Sequence, residues 1–324
     1  VMADEAQRQF YLAAAGVRLW YARHPLPGAA PSPEFRFPEE PADVVPAAPV
    51  AHAGDAGVGA TAEGGGGAFA GGASGREVVA AVQGADRPGV LSEGDLAIYQ
   101  VKERPAVCAP YRGHEVCGMG PPSSGAVAVG QILGLLDGFD LSAGPEDVEV
   151  RRLIGDASRL AFADRGRYLA DSDFVPVPVT GLLDPAYLGS RAALLRGDDA
   201  LPEVSAGSPE FDHALNWADG AAIELPSTSH VSIVDAMGNV ASMTTTIENG
   251  FGSRLMAAGF LLNNELTDFS FRSHVDGVPV ANRVEPGKRP RSSMAPTLVL
   301  KDGAPGLATG RAGGGRGAGH AGGR

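Results

Sequence analysis

Two stretches in the last third of the chain alternate apolar and polar residues with the period of a strand. They are His230 to Asp235 and Val240 to Ile247, both rich in Val, Ile and Thr. Between Asp235 and Asn239 the three residues Ala236-Met237-Gly238 end in glycine and suit a hairpin turn with a left-handed third position. Pairing Asp235 with Asn239 sets a register in which Val231 faces Met243 and Ile233 faces Ala241. His230, Ser232, Ser242 and Thr244 then share the other face. Extended outward, this register places Thr228 opposite Thr246, and a bulge would shift the pairing by one residue.

A helical period marks two other segments. Gln131 to Phe139 carries Ile132, Leu135, Leu136 and Phe139, and Val148 to Tyr168 carries Leu153, Ile154, Leu160 and Phe162. Both read as helices covering sheets, separated by the turn-forming Ser142-Ala143-Gly144-Pro145. Met2 to Tyr21 also has helix-compatible spacing, with Phe10, Leu12 and Val17 among alanines. Beyond it the pattern dissolves into Pro- and Ala-rich stretches and then Gly64-Gly65-Gly66-Gly67 and Gly71-Gly72. From Gly315 to Arg324 the chain is almost entirely glycine, alanine and arginine, a composition expected to be disordered.

Composition narrows the functional classes. With 324 residues, 44% of them hydrophobic, the chain can bury a sizeable core as a single α/β unit. A net charge of −12 argues against nucleic acid or anionic membrane as partner. No apolar run approaches the roughly eighteen residues a membrane span needs. Val1-Met2-Ala3-Asp4-Glu5 has neither the basic flank nor the apolar core of a signal peptide. The two cysteines, Cys108 and Cys117, flank Arg112-Gly113 symmetrically and would oppose each other across a two-residue hairpin. Buried free thiols are the expected state, with a cross-strand disulfide as the alternative and metal binding unsupported.

The chemistry centres on Pro226-Ser227-Thr228-Ser229-His230. A threonine hydroxyl is a useful nucleophile only with a base beside it, and an N-terminal threonine carries its own, the α-amine. That amine has a reference pKa of about 7.7–8.0, so a good fraction is neutral near pH 7. Cleavage between Ser227 and Thr228 would turn an inert strand residue into a nucleophile. Such a threonine needs no histidine, so His230 reads as a structural strand residue. Gly310-Arg311 with Gly313 onward lacks the Lys-Ser/Thr of a phosphate-binding loop, and that reading is rejected.

Several long motifs occur in an order that resembles the γ-glutamyltranspeptidase family. Thr228 to Asp235, Thr244-Thr245-Thr246-Ile247-Glu248-Asn249-Gly250-Phe251-Gly252, Gly259 to Ser270, and Gly287 to Thr297 carry the resemblance downstream. Upstream it rests on Tyr111-Arg112-Gly113, Pro121-Pro122-Ser123-Ser124-Gly125, Asp164-Arg165 with Tyr168-Leu169-Ala170-Asp171, and Leu183 to Leu188. It spans about residues 75–314. It implies an α+β fold, the four-layer αββα N-terminal-nucleophile hydrolase sandwich, here incomplete at both ends. A poorly matched region (1–74) would precede a large-subunit portion (75–227). A small-subunit portion (228–314) and the glycine-rich tail (315–324) would follow.

The resemblance further implies a precursor that cuts itself at Ser227/Thr228 into two subunits that stay together. The loop from Gly207 to Pro226 would be mobile and exposed after that cut. The mature enzyme would cleave γ-glutamyl compounds such as glutathione and pass the γ-glutamyl group to water, an amino acid or a dipeptide, without metal or cofactor. Thr228 matches the nucleophile and Thr246 the threonine beside it. Glu265 and Asp268 match residues holding the donor's α-amino group, Ser292 and Ser293 the pair contacting its α-carboxylate. Gly313 and Gly314 match the oxyanion-hole glycines, where backbone N–H donors face no obstructing Cβ. Members are often periplasmic or secreted, and the compartment stays open here.

Departures from the pattern keep alternatives in view. Glu248 stands where many members have Asn; it can accept from an ammonium but would repel a donor carboxylate, as in a cephalosporin acylase-like amidohydrolase. The oxyanion segment lacks its usual Ser-Pro and reads Gly310-Arg311-Ala312-Gly313-Gly314. No motif assigns Arg18, Arg23 or Arg36 to the carboxylate-clamping arginine of the large subunit. A non-catalytic, truncated remnant is the third reading.

Overall fold

The computed structural model describes residues 66–67, 69–213, 216–220 and 228–311. The helix expected over Met2 to Tyr21, the tail 315–324, Ser227, Gly313 and Gly314 lie outside these. The helices are α1 Ala73–Gln83, α2 Glu93–Ile98, α3 Gly125–Leu136, α4 Val148–Tyr168, α5 Val179–Leu182 and α6 Pro185–Ala192. The strands are β1 Val107–Tyr111, β2 His114–Gly118, β3 Thr228–Val234, β4 Val240–Thr246, β5 Met256–Ala257, β6 Phe260–Leu261, β7 His274–Val275, β8 Val278–Pro279, β9 Ala295–Lys301 and β10 Ala304–Arg311. Single 3₁₀ turns occupy Ala193–Arg196 and Glu265–Asp268.

The β3–β4 hairpin forms in the register that the alternation predicts: Thr228 opposes Thr246, Val231 opposes Met243 and Ile233 opposes Ala241. Its turn is locked by Asp235, whose carboxylate accepts from Met237 N and Asn239 N, both at 2.8 Å, and from Asn239 Nδ2 at 2.7 Å. Those bonds, led by the Asn239 side chain, hold the Asp235 carboxyl below its usual range. Gly238 takes the left-handed conformation, φ 86°.

A second hairpin, β1–β2, begins the main sheet. Arg112 and Gly113 both have positive φ, 47° and 79°, as a twist-matched two-residue turn requires. Cys108 and Cys117 are opposed as expected, but they form a disulfide rather than remaining free thiols. Direct cross-strand pairing brings their Cα atoms to 4.0 Å, close enough for the bond without backbone movement. β2 continues into an antiparallel ladder with β9, and β9 with β10, giving the order β1-β2-β9-β10.

The two faces of this sheet are covered differently. On one face α3 lies so close that a Cβ on Gly125 would stand 2.9 Å from Cβ of Ala295, so only glycine fits there. The opposite face of β9–β10 receives the β3–β4 hairpin through its polar side. Ser242 Oγ donates to Thr309 O at 2.8 Å and accepts from Thr297 N at 3.1 Å. The His230 ring packs on Gly310, where an added Cβ would lie 2.2 Å from the imidazole. The apolar side of the hairpin, with Val231, Ile233 and Met243, is exposed among the described residues. Helices over a sheet, with a further hairpin stacked on it, make the chain mixed α+β.

Helix α4 spans the residues predicted for it, capped by Asp147, which accepts from Glu149 N and Val150 N. Leu153, Ala157 and Leu160 meet Leu135, Leu136, Leu188 and Leu195 in one buried cluster. Ile154 falls off that stripe and is exposed. Helix α3 differs from expectation: it starts six residues before Gln131 and stops at Leu136, leaving Phe139 beyond its end. A second cluster joins Val127, Tyr168, Leu169 and Leu182 to Trp217 and Ala281, packing residues from both sides of position 228 together.

Candidate active site

Thr228 is the first residue of β3 and shares its half-buried face with His230, Thr244 and Thr246. Between the two threonines and the segment beyond β4 lies an open hollow of about 440 Å³, lined by Thr228, Ser229, Thr245, Thr246, Ile247 and Gly250. Another hollow, of about 310 Å³, sits under the β1–β2 turn, but no serine, threonine or cysteine lines it. His230 is engaged within the hairpin, Nδ1 at 2.8 Å from Thr244 Oγ1 and Nε2 at 3.1 Å from Ser232 Oγ.

Just past β4 the chain turns sharply. Glu248 is buried and left-handed, φ 69°, a conformation that costs a non-glycine residue roughly 1–3 kcal/mol. Two bonds support it: Glu248 N donates to Thr246 Oγ1 at 2.8 Å, and Asn264 Nδ2 donates to the Glu248 carboxylate. Asn264 also accepts from Asn249 N at 2.9 Å and donates its own N–H to Ile247 O at 3.3 Å. One amide thus staples the segment after Thr246 to the 3₁₀ turn carrying Glu265 and Asp268. Sequence reasoning quoted Asn264 within a motif but assigned it nothing; an amide between two loops of carboxylates was the available signal.

The staple gathers the three predicted acids, Glu248, Glu265 and Asp268. Burial, and then the neighbouring Glu248 charge, push the Glu265 carboxyl up to about 7. Glu265 Oε1 is buried without a hydrogen-bond partner among the described residues. The Asp268 backbone is held by Asn282, whose Nδ2 donates to Asp268 O at 2.8 Å.

Ser292 and Ser293 precede β9 and are tied to the segment Pro122–Ser124 and to helix α4. Ser124 N and Oγ both donate to Ser292 O at 2.8 Å, and Ser292 N donates to Pro122 O at 3.0 Å. Arg165, nearly fully buried on α4, donates to Ser124 Oγ and to Ser293 Oγ, each at 2.7 Å. Arg291 and Lys288 turn inward on carbonyls, Arg291 Nη1 to Arg165 O at 2.9 Å and Lys288 Nζ to Ala281 O at 2.7 Å. Nothing in the sequence alone singled out Arg165 or Ser124 beyond their place in motifs.

The helix-covered sheet with a hairpin stacked on its other face is the layered α+β fold of the N-terminal-nucleophile type. A cephalosporin acylase from Bacillus halodurans shares that fold, with a TM-score of 0.65 at 23% identity over 78% of this chain and 42% of that one. The profile described as Gamma-glutamyltranspeptidase matches residues 59–319, and the chain belongs to that family. The match extends beyond the motif-bearing residues at both ends. The chain is 38% identical over 236 residues to a glutathione hydrolase proenzyme of Escherichia coli K12, covering 70% of this chain and 39% of the relative. It is 37% identical over 219 residues to the Acylase ACY 1 proenzyme of Pseudomonas sp. strain SE83, covering 66% and 36%. The chain thus spans about two-fifths of the length of these curated relatives.

Proposed function

We propose that this chain is an autoprocessing γ-glutamyl hydrolase and transferase with Thr228 as nucleophile. The observation that carries the reading is the pairing of Thr228 with Thr246 at the mouth of a hollow flanked by a stapled acid cluster. In processing, Thr228 Oγ attacks the Ser227 carbonyl, the acyl group moves from nitrogen to oxygen, and water hydrolyses the ester. Ser227 then ends in a carboxylate and Thr228 begins with a free amine. In turnover, that amine takes the hydroxyl proton as Oγ attacks the γ-glutamyl carbonyl. The tetrahedral intermediate collapses, the leaving amine receives the proton, and a γ-glutamyl ester of Thr228 remains. Water or an acceptor amine then cleaves the ester.

Substrate recognition divides by charge. Glu265, Asp268 and Glu248 receive the donor ammonium, for which ion-paired hydrogen bonds are the natural partners. Ser292 and Ser293 receive its carboxylate, and Gly313 and Gly314 the oxyanion. The similarity to an acylase proenzyme supports a second reading, hydrolysis of amides without an α-amino group. The acid cluster disfavours it, since carboxylates without an ammonium must hold a proton or repel. The subunit boundary proposed at residue 228 leaves both portions sharing one core.

The test is the mass of purified protein. Fragments of 227 and 97 residues are expected from the 324-residue chain. The Thr228→Ala chain should stay whole. An uncut wild-type chain after long incubation would remove the nucleophile assignment.

A further inference from the structure

One fully buried amide joins the two loops to which the donor's charged ends are assigned. Asn282 follows Val280 and Ala281, and all three are 1% exposed or less. Its Nδ2 donates to Asp268 O at 2.8 Å, and its Oδ1 accepts from Arg291 N at 2.9 Å. Its own carbonyl accepts from Ser270 N at 2.9 Å. A backbone N–H can only donate and a carbonyl can only accept, so these partners fix which way the amide points. The loop around it is closed by Lys288, whose Nζ donates to Ala281 O at 2.7 Å. Each flank is held as well: Ser270 forms a parallel bridge with Arg283, and Ser292 N donates to Pro122 O at 3.0 Å.

The consequence is a set distance. The oxygen and nitrogen of an amide share one carbon, so two bonds of ordinary length hold Asp268 O and Arg291 N at a defined separation. One belongs to a residue assigned to the donor ammonium. The other stands one residue ahead of Ser292-Ser293, assigned to the donor carboxylate. In an α-amino acid both groups hang from the same carbon, so a site gains from both only when its halves stand at matching spacing. We propose that Asn282 is a positioning residue that sets specificity for an α-amino acid donor. It holds the Asp268 loop and the Ser292-Ser293 loop where one ligand can engage both at once. This rests on the donor-binding reading of those loops. Because Asn282 is neutral and these bonds run to backbone groups, its loss changes spacing and leaves the charges of the site in place.

The experiment compares three ligands by calorimetry on the full 324-residue chain. L-Glutamate carries ammonium and carboxylate on one carbon. 4-Aminobutanoate keeps the amine without the α-carboxylate, and glutarate keeps both carboxylates without the amine. Asn282→Ala leaves two buried backbone groups unpaired, and the loosened loops should bind glutamate roughly tenfold more weakly. The two single-ended ligands should stay within about twofold, because each needs only one loop. Should Asn282→Ala not fold, Asn282→Ser takes its place. One short hydroxyl cannot bridge both backbone groups, so the same selective loss is expected at a few-fold. Unchanged glutamate binding in the variant would overturn the proposal. Equal weakening of all three ligands would overturn it too, since a residue serving the fold alone does not tell them apart. A wild type that binds glutamate no better than the single-ended ligands would instead overturn the donor-binding reading of the two loops.

Discussion

A glutamate in the left-handed region, buried beside two further acids, is the least comfortable residue of the site. Two hydrogen bonds hold Glu248 there, one to Thr246 Oγ1 from its own N–H and one from Asn264. Its charge helps raise the Glu265 carboxyl, whose pKa of about 7 lies well above the ordinary carboxylate value. The sign follows directly. Because the folded state holds this proton more tightly than the unfolded state, the associated stability is full below about pH 4.5 and is lost as pH rises through about 7. Glu265→Gln should therefore flatten the fall in melting temperature between pH 5 and 8. For donor binding the direction is opposite, since the ionised carboxylate is the form that takes an ammonium. KM for γ-glutamyl-p-nitroanilide should fall as pH rises toward 8, and the Glu265→Gln profile should lose that limb. Asp268→Ala removes one partner of the same ammonium and should cost roughly 2–5 kcal/mol in turnover. Its processing should be intact, because no substrate amine takes part in that step. Wild-type turnover by Asp268→Ala, or an unaltered pH profile in Glu265→Gln, would detach these residues from the donor.

Among the elements, the hairpin and the two long helices show what periodicity can and cannot deliver. Alternation alone set the β3–β4 register, because slipping by one residue would exchange its two faces completely. It could not tell which face goes inward. The structure turns the polar one toward the neighbouring sheet, since Ser242 can bond both Thr309 O and Thr297 N there. Helix α4 was legible in full because its buried residues recur every three or four positions. Helix α3 was misplaced because Gly125 to Gly130 is small and almost wholly buried, so no polar face marks its period. The cysteines were correctly opposed, yet sequence spacing is silent on whether two facing thiols oxidise. The fit of His230 on Gly310 gives an element-scale prediction. Gly310→Ala should cost about 1–3 kcal/mol by overpacking. The cost should shrink when His230→Ala removes the ring, as measured by denaturant unfolding of both singles and the double. Equal costs in both backgrounds would show that the hairpin does not dock there.

Across the whole molecule, the proposed cut at residue 228 would leave two pieces with much to hold them together. β2 of the first pairs with β9 of the second over Glu115 to Gly118 and Thr297 to Leu300. Arg165, Gly166 and Pro122 bind Arg291 to Ser293, and Asp171 accepts from Arg289 N at 2.9 Å. The 227- and 97-residue fragments should therefore co-elute in gel filtration without denaturant and separate in urea. Val116→Pro removes a donor from the shared ladder and should lower the urea concentration at which they part. Fragments that separate in plain buffer would contradict this account.

What the sequence determined by itself was local or carried by ordered motifs: the hairpin register, the long helix, the nucleophile candidate and the family. Each depends on neighbours in the chain or on the motifs themselves, and both are written in one dimension. What only the tertiary structure decided were pairings between distant segments. Asn264 reaches back to Glu248, Arg165 crosses to Ser293, and the hairpin turns its hydroxyls toward β9 and β10. Such contacts depend on which buried polar groups must find partners once the layers close, and that is settled only by the packing.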